Sequence, residues 1–151
     1  MLLITALVVN SLLTLLVFLL HYEVLFQLGR GLPKTQNIPP RFRVLYGVGI
    51  IFVAHVIEIW IYGAGYYAML QFPDMGKLVG ELSGHGLLLD CVYLSFVTFT
   101  TVGYGELVAE GYIRYLTGIE ALAGLILITW SASFLFIEMQ KYWTLSSSRK
   151  S

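Results

Sequence analysis

The chain has 151 residues, of which 58% are hydrophobic and only 12% are charged, and its mean hydropathy is +0.79. Soluble domains carry about 25% charged residues, so this composition is typical of a membrane protein. Basic and acidic side chains balance to a net charge of zero, and no motif for binding nucleic acid is present. The single cysteine, Cys91, excludes an intrachain disulfide.

The first apolar segment runs from about Leu2 to Leu20 and continues to about residue 28. It lacks the basic start and the small-residue cleavage site of a secretion signal, so we predict a retained transmembrane helix over 1–28. Two roles remain open for this helix. It packs against lipid and the following helix, or it couples the protein to a regulatory partner. A loop over 29–43 follows it.

Two further segments, 44–70 and 113–138, are long enough to span a bilayer. Between them, the stretch 87–100 follows a glycine-rich loop and is too short to cross, which predicts a re-entrant half-helix. The expected fold is therefore an all-α membrane protein with three transmembrane helices and one pore loop. We predict that 139–151 forms a short tail whose Ser-rich end, 144–151, is disordered.

The basic residues predict an orientation because they cluster in two of the polar segments. The loop 29–43 and the tail carry most of them, whereas the region around the half-helix has only Lys77 and Arg114. By the positive-inside rule, that loop and the C-terminus are cytoplasmic, the N-terminus is outside, and the half-helix enters from the outer face. The spans lack the repeated arginines of a voltage sensor, so we expect little or no voltage dependence.

Directly after the half-helix stands the sequence TTVGYG, residues 100–105. A cation that crosses a bilayer must exchange its water shell for oxygen ligands, and consecutive backbone carbonyls provide them if they all point toward one axis. An extended strand alternates its carbonyls, so such a segment needs left-handed backbone angles. Gly103 and Gly105 adopt these angles at little cost. The hydroxyl of Thr101 adds one more oxygen, and Val102 and Tyr104 are expected to pack behind the strand.

The stretch YLSFVTFTTVGYGE, 93–106, resembles the pore region of the potassium channel superfamily. The layout of 44–138 is similar to the small prokaryotic type, with an outer helix, a pore loop (pore helix 87–100, filter 101–105) and an inner helix. The first helix is additional to that pattern.

The resemblance implies that four copies of the chain form a homotetrameric pore in the cell membrane, with K⁺ as the permeant ion and no other cofactor. It assigns the ion sites to Thr101, Val102, Gly103 and Tyr104, with Thr100 and Gly105 supporting the filter. On the inner helix it makes Gly124 similar in placement to a hinge glycine. The residues that would then line the cavity are Leu125, Ile128 and Ala132, with Phe136 as a lower constriction.

One position departs from the family pattern where the filter ends. The residue after the filter is usually aspartate, and here it is Glu106. In the family this carboxylate ties the filter to the pore helix, often through a tryptophan at the place that Tyr93 occupies. We predict that a Tyr93–Glu106 hydrogen bond replaces this tie.

Several polar residues stand in apolar spans. His55 and Glu58 are three apart on the second helix, so they share a face, and we assign them either a packing role or a role in pH sensing or gating. The three histidines, at positions 21, 55 and 85, show no spacing typical of metal ligands. For Glu120 we predict Arg114 as partner, for Asn10 an interhelical hydrogen bond, and interfacial positions for four aromatic residues, Trp60, Tyr62, Tyr66 and Tyr67.

The sequence favours a passive potassium channel and leaves three alternatives. A weakly selective cation channel would often carry another residue in place of Tyr104. A membrane subunit of a potassium transporter tends to join four degenerate pore loops in one chain, whereas this chain has one intact loop. A non-conducting assembly subunit is the third. An enzyme is not expected, since the sequence shows no nucleophile–base pair.

Overall fold

The computed structural model describes residues 1–31, 40–72 and 74–147, and these ranges contain four α-helices and two short strands. In chain order the elements are α1 (Leu2–Gly31), α2 (Pro40–Leu70), β1 (Gly76–Gly80), α3 (Leu87–Phe99), β2 (Leu107–Gly111) and α4 (Arg114–Ser147). Within the described ranges, α1, α2 and α4 are long and apolar enough to span a membrane, and α3 is the shorter apolar helix between them. The predicted all-α membrane fold is confirmed.

The helices extend beyond their predicted ends. α2 begins at Pro40 instead of residue 44, because proline suits the first turn of a helix, where its missing N–H would have no partner. α4 continues to Ser147, so the prediction of disorder is wrong for residues 144–147. The chain has no glycine or proline after Gly124 to end α4, and Lys141 donates a hydrogen bond to Glu138 one turn earlier. Residues 32–39 of the predicted loop 29–43 and residues 148–151 of the predicted tail lie outside the described part of the chain.

The short helix α3 packs with its backbone directly against α2 and α4. A Cβ atom added to Gly63 of α2 would lie 2.8 Å from the Cα of Val92. One added to Gly124 of α4 would lie 2.1 Å from the carbonyl oxygen of Phe99, the last residue of α3. Glycine is therefore required at both positions, since any side chain would push the helices apart.

The first helix is part of the same core. Its buried side chains recur at spacings of three, four or seven residues along one face, Ala6, Asn10, Val17, His21, Leu25 and Leu28. Leu13 fills the space above Gly65 of α2, where an added Cβ would approach it to 2.5 Å. The hydroxyl of Tyr62 on α2 donates to Thr14 at 3.2 Å. These contacts fix α1 against the helices around α3.

A two-stranded antiparallel ribbon flanks the segment 100–106. β1 pairs with β2 in the register Gly76↔Gly111 through Gly80↔Leu107. The sequence predicted only a glycine-rich loop before α3, and the ribbon corrects this expectation. The strand glycines allow close backbone approach, since a Cβ on Gly80 would lie 1.9 Å from the carbonyl oxygen of Glu106. The ribbon joins the chain before α3 to the chain after the segment 100–106.

The aromatic residues of α2 divide between core and surface. Tyr62 and Tyr66 are fully buried among the described residues, whereas Trp60 and Tyr67 are exposed. The interfacial position predicted for the two buried tyrosines is therefore wrong. Their hydroxyls bond to Thr14 and Glu120, which satisfies them inside the bundle.

We expect Gly124→Ala to destabilise the folded protein by about 2 kcal/mol, because the added methyl group collides with the backbone of Phe99. Gly49→Ala is the matched control, since Gly49 lies inside α2 with nothing within 4 Å of an added Cβ. Thermal unfolding of the purified variants in detergent measures the difference. Equal stability of the two variants would contradict the contact.

Candidate functional site

The segment Thr100–Gly105 leaves the C-terminal end of α3 without forming a helix or a strand. Its backbone alternates in handedness. Thr101, Gly103 and Gly105 have φ angles of 58°, 49° and 89°, and the residues between them are not among the positive-φ positions. Alternating right- and left-handed angles turn successive carbonyls toward the same side, which a regular strand does not do.

Thr101 is the residue whose conformation the sequence did not predict. A positive φ on a β-branched residue is an outlier that its surroundings must hold in place. Its amide donates to the carbonyl of Thr98 at 2.9 Å, and the amide of Gly103 donates to the carbonyl of Val97 at 3.0 Å. These two bonds anchor the start of the segment to the last turn of α3.

A second support lies at the C-terminal end of the segment. The hydroxyl of Tyr93 on α3 donates a hydrogen bond to the carboxylate of Glu106, which is the bond that the sequence predicted. The carbonyl of Glu106 also accepts from the amide of Glu81 at 2.9 Å, next to the β-ribbon. Glu106 therefore ties the end of the segment to both the pore helix and the ribbon.

The loop before α3 is fixed by Asp90 in the first turn of that helix. Its carboxylate accepts from the hydroxyl of Ser83 at 2.6 Å and from the amide of Ser83 at 3.0 Å. These hydrogen bonds hold the pKa of Asp90 below its ordinary value, and the bond from the hydroxyl has the larger effect. An ionised carboxylate is also favoured here by the positive end of the helix dipole.

Apolar side chains of the filter segment are exposed on a single chain. Val102 is 53% exposed and Tyr104 is 73% exposed, so within one chain they do not have the packing that was predicted behind the strand. On α4, the predicted cavity residues Leu125, Ile128, Ala132 and Phe136 are exposed as well. Gly124 differs from them, because it is buried against Phe99. One chain therefore leaves unpacked both the filter segment and the adjacent face of α4.

A buried polar cluster joins α1, α2 and α4. The two carboxylate oxygens of Glu58 lie 2.9 Å from Nδ1 of His21 and 2.8 Å from Nδ1 of His55. The hydroxyl of Ser131 lies 3.3 Å from Nε2 of each histidine. The sequence paired His55 with Glu58 and showed no metal-ligand spacing between His21 and His55, yet the structure brings the two rings to a centroid distance of 5.3 Å. Residues 34 positions apart on separate helices leave no spacing signal.

The other buried polar residues also differ from the sequence predictions. Glu120 accepts hydrogen bonds from Tyr66 and Ser95 inside the bundle, and not from the predicted Arg114. Asn10 is buried, and its side-chain amide has no partner among the described residues, although an interhelical hydrogen bond was predicted. The role of His55 and Glu58 in pH sensing or gating stays a prediction.

A family model described as an ion channel matches residues 54–141, which include most of α2, all of α3, the filter segment and most of α4. No curated protein and no solved structure matches the chain significantly.

We expect Tyr93→Phe to lower the melting temperature, because it removes the hydrogen bond that ties α3 to Glu106. The hydroxyl is the only group removed. Thermal unfolding in detergent checks the loss. Tyr115→Phe is the control, because the Tyr115 hydroxyl is exposed and makes no hydrogen bond within the described ranges. Identical losses in both variants would argue against the Tyr93–Glu106 tie.

The depressed pKa of Asp90 predicts a pH dependence. A carboxyl group whose folded pKa lies below its unfolded value of about 3.9 stabilises the fold above that pH, and the contribution is lost as pH falls through the folded pKa. The melting temperature of wild type should therefore exceed that of Asp90→Asn near neutral pH, and the gap should narrow below about pH 4. A gap that stays constant on acidification would refute the charged interaction.

Proposed function

Since the chain belongs to the ion channel family, with a domain of the two-helix potassium-channel type, we propose that it is a passive potassium-selective channel in the cell membrane. The observation that carries the proposal is the left-handed backbone at alternate positions of the segment Thr100–Gly105. This conformation suits a column of carbonyl oxygens that replaces the hydration shell of K⁺. Thr101, Val102, Gly103 and Tyr104 are the residues whose oxygens would hold the ions.

The proposed working unit is a homotetramer. One chain supplies one strand of oxygens, and a ring of ligands around an ion needs four. Two apolar side chains of the filter, Val102 and Tyr104, lie exposed on the isolated chain, and burial against neighbouring copies removes them from water or lipid. The exposed face of α4 that begins at Leu125 would line the shared cavity.

The electrostatics of the pore helix support conduction of a cation. α3 ends at Phe99, next to the filter, so the negative end of its dipole lies at the base of the proposed ion path. Four such ends around an axis lower the cost of a cation at membrane depth. Neighbouring ions in the filter repel each other, which allows them to leave after binding.

We further propose that the loop 29–43 and the C-terminus face the cytoplasm and the N-terminus lies outside, from the distribution of basic residues. The channel should open with little or no dependence on voltage, because the spans carry no row of arginines. The first helix, α1, packs against α2 and α4, which is consistent with a supporting role next to the pore.

The weakly selective cation channel and the transporter subunit make different predictions in the same experiment. For a selective channel, liposomes with the purified protein release K⁺ rapidly without an energy source, and reversal potentials in mixed solutions favour K⁺ over Na⁺. A reversal potential near zero would indicate the weakly selective channel. Slow, saturable flux that needs an energy source would indicate the transporter.

We expect Gly103→Ala to reduce K⁺ flux at least about tenfold, because a left-handed alanine costs roughly 1 kcal/mol or more in each of four filter strands. Gly84→Ala is the matched control. Gly84 also has a positive φ, 72°, and open space around it, but it lies in the loop before α3. Gly84→Ala should have a similar backbone cost but leave the K⁺ flux unchanged. Unchanged flux in Gly103→Ala, with assembly intact, would overturn the proposed filter and favour a non-conducting subunit.

A further inference from the structure

The cluster of His21, His55, Glu58 and Ser131 has fewer polar hydrogens than contacts at hydrogen-bond distance. It contains four contacts at hydrogen-bond distance, two between imidazole Nδ1 atoms and Glu58 and two between imidazole Nε2 atoms and Ser131. Two neutral imidazoles and one hydroxyl supply three polar hydrogens, one each. One of the four contacts then joins two acceptors, which is costly inside a buried cluster. An additional cation removes the conflict.

We propose that His21, His55 and Glu58 form a buried binding site for a divalent transition-metal ion of the Zn²⁺ type. Imidazole nitrogen and carboxylate oxygen are ligands that Zn²⁺ prefers, and two histidines with one glutamate leave a fourth position for water. One donor atom from each residue lies within 4.8 Å of the others. Ligands of tetrahedral Zn²⁺ are about 3.4 Å apart, so the side chains need to move by only about 1 Å.

Ser131 fits the role of an outer partner that fixes the ring tautomers. Its oxygen has two lone pairs and lies 3.3 Å from Nε2 of both histidines. If it accepts an N–H from each ring, both Nδ1 atoms are left without hydrogen and face Glu58 with free lone pairs. This is the arrangement that a metal-binding histidine needs, with the second nitrogen donating to a nearby acceptor. The two rings are stacked, with centroids 5.3 Å apart, which holds both nitrogens on the same side.

The electrostatic surroundings favour a cation at this place. A divalent ion with one carboxylate leaves one net positive charge, which at membrane depth needs a negative group or dipole close by. The ring of His55 lies 5.6 Å from the ring of Phe99, the residue at the C-terminal, negative end of α3. Glu58 and His21 are fully buried, whereas the side chain of His55 is 17% exposed in one subunit and provides the route of entry.

The test is Zn²⁺ binding to the purified full-length chain in detergent, by calorimetry and by competition with a chromophoric chelator. We expect about one site per chain. His21→Gln and His55→Gln should each weaken binding at least about a hundredfold, and Ser131→Ala about tenfold, because it removes only the outer partner. His85→Gln is the matched control and should bind as wild type does, since His85 lies exposed in the loop before α3.

Two results would overturn the proposal. One is wild-type affinity no greater than that of His21→Gln and His55→Gln, which would make a proton the additional cation. The other is a loss of binding in His85→Gln, which would place the ion on the surface. If the histidine variants fail to fold, Co²⁺ bound to wild type decides the question. An intense visible absorption of tetrahedral Co²⁺, weakened in Ser131→Ala, supports the site, and its absence refutes it. Neither measurement depends on K⁺ conduction.

Discussion

The structure depends on holding a short piece of backbone in a conformation that it would not keep alone. The segment Thr100–Gly105 makes no regular hydrogen-bond ladder, and Thr101 has a left-handed φ that its side chain disfavours. The surrounding elements fix the segment at both ends. Hydrogen bonds to the last turn of α3 hold its start, and Glu106 holds its end through Tyr93 and the β-ribbon. The neighbouring elements therefore make the segment rigid.

Buried polar groups connect the additional helix to this arrangement. Glu58 and Glu120 are carboxylates inside an apolar bundle, and each has hydrogen-bonding partners from other helices. Leaving either unpaired would cost far more than the packing of a few apolar side chains returns. The partners therefore specify how the helices align. Through the contact of His21 with Glu58, α1 is part of the same bundle as α2, although the pattern that the sequence resembles begins at α2.

The sequence predicted the parts that depend on local pattern. Apolar length predicted the three spans, and glycines at alternate positions predicted left-handed angles at Gly103 and Gly105. It did not predict contacts between distant residues that have no periodic signal, such as His21 with Glu58, or the conformation of Thr101, which the fold imposes. The end of α4 also differs from the prediction, because a serine-rich composition favours disorder whereas the absence of a helix breaker lets the helix continue to Ser147.

The contact between Gly124 and Phe99 joins α4, which is expected to bend, to the start of the proposed filter, which has to stay rigid. The resemblance makes Gly124 a hinge, yet in this structure it is the point at which α4 touches the backbone at the base of the filter. A bend of α4 at that residue cannot leave Phe99 undisturbed, because the helices there have no side chain between them to absorb the shift. Movement of α4 is therefore expected to reach the C-terminal end of α3, from which the segment Thr100–Gly105 leaves.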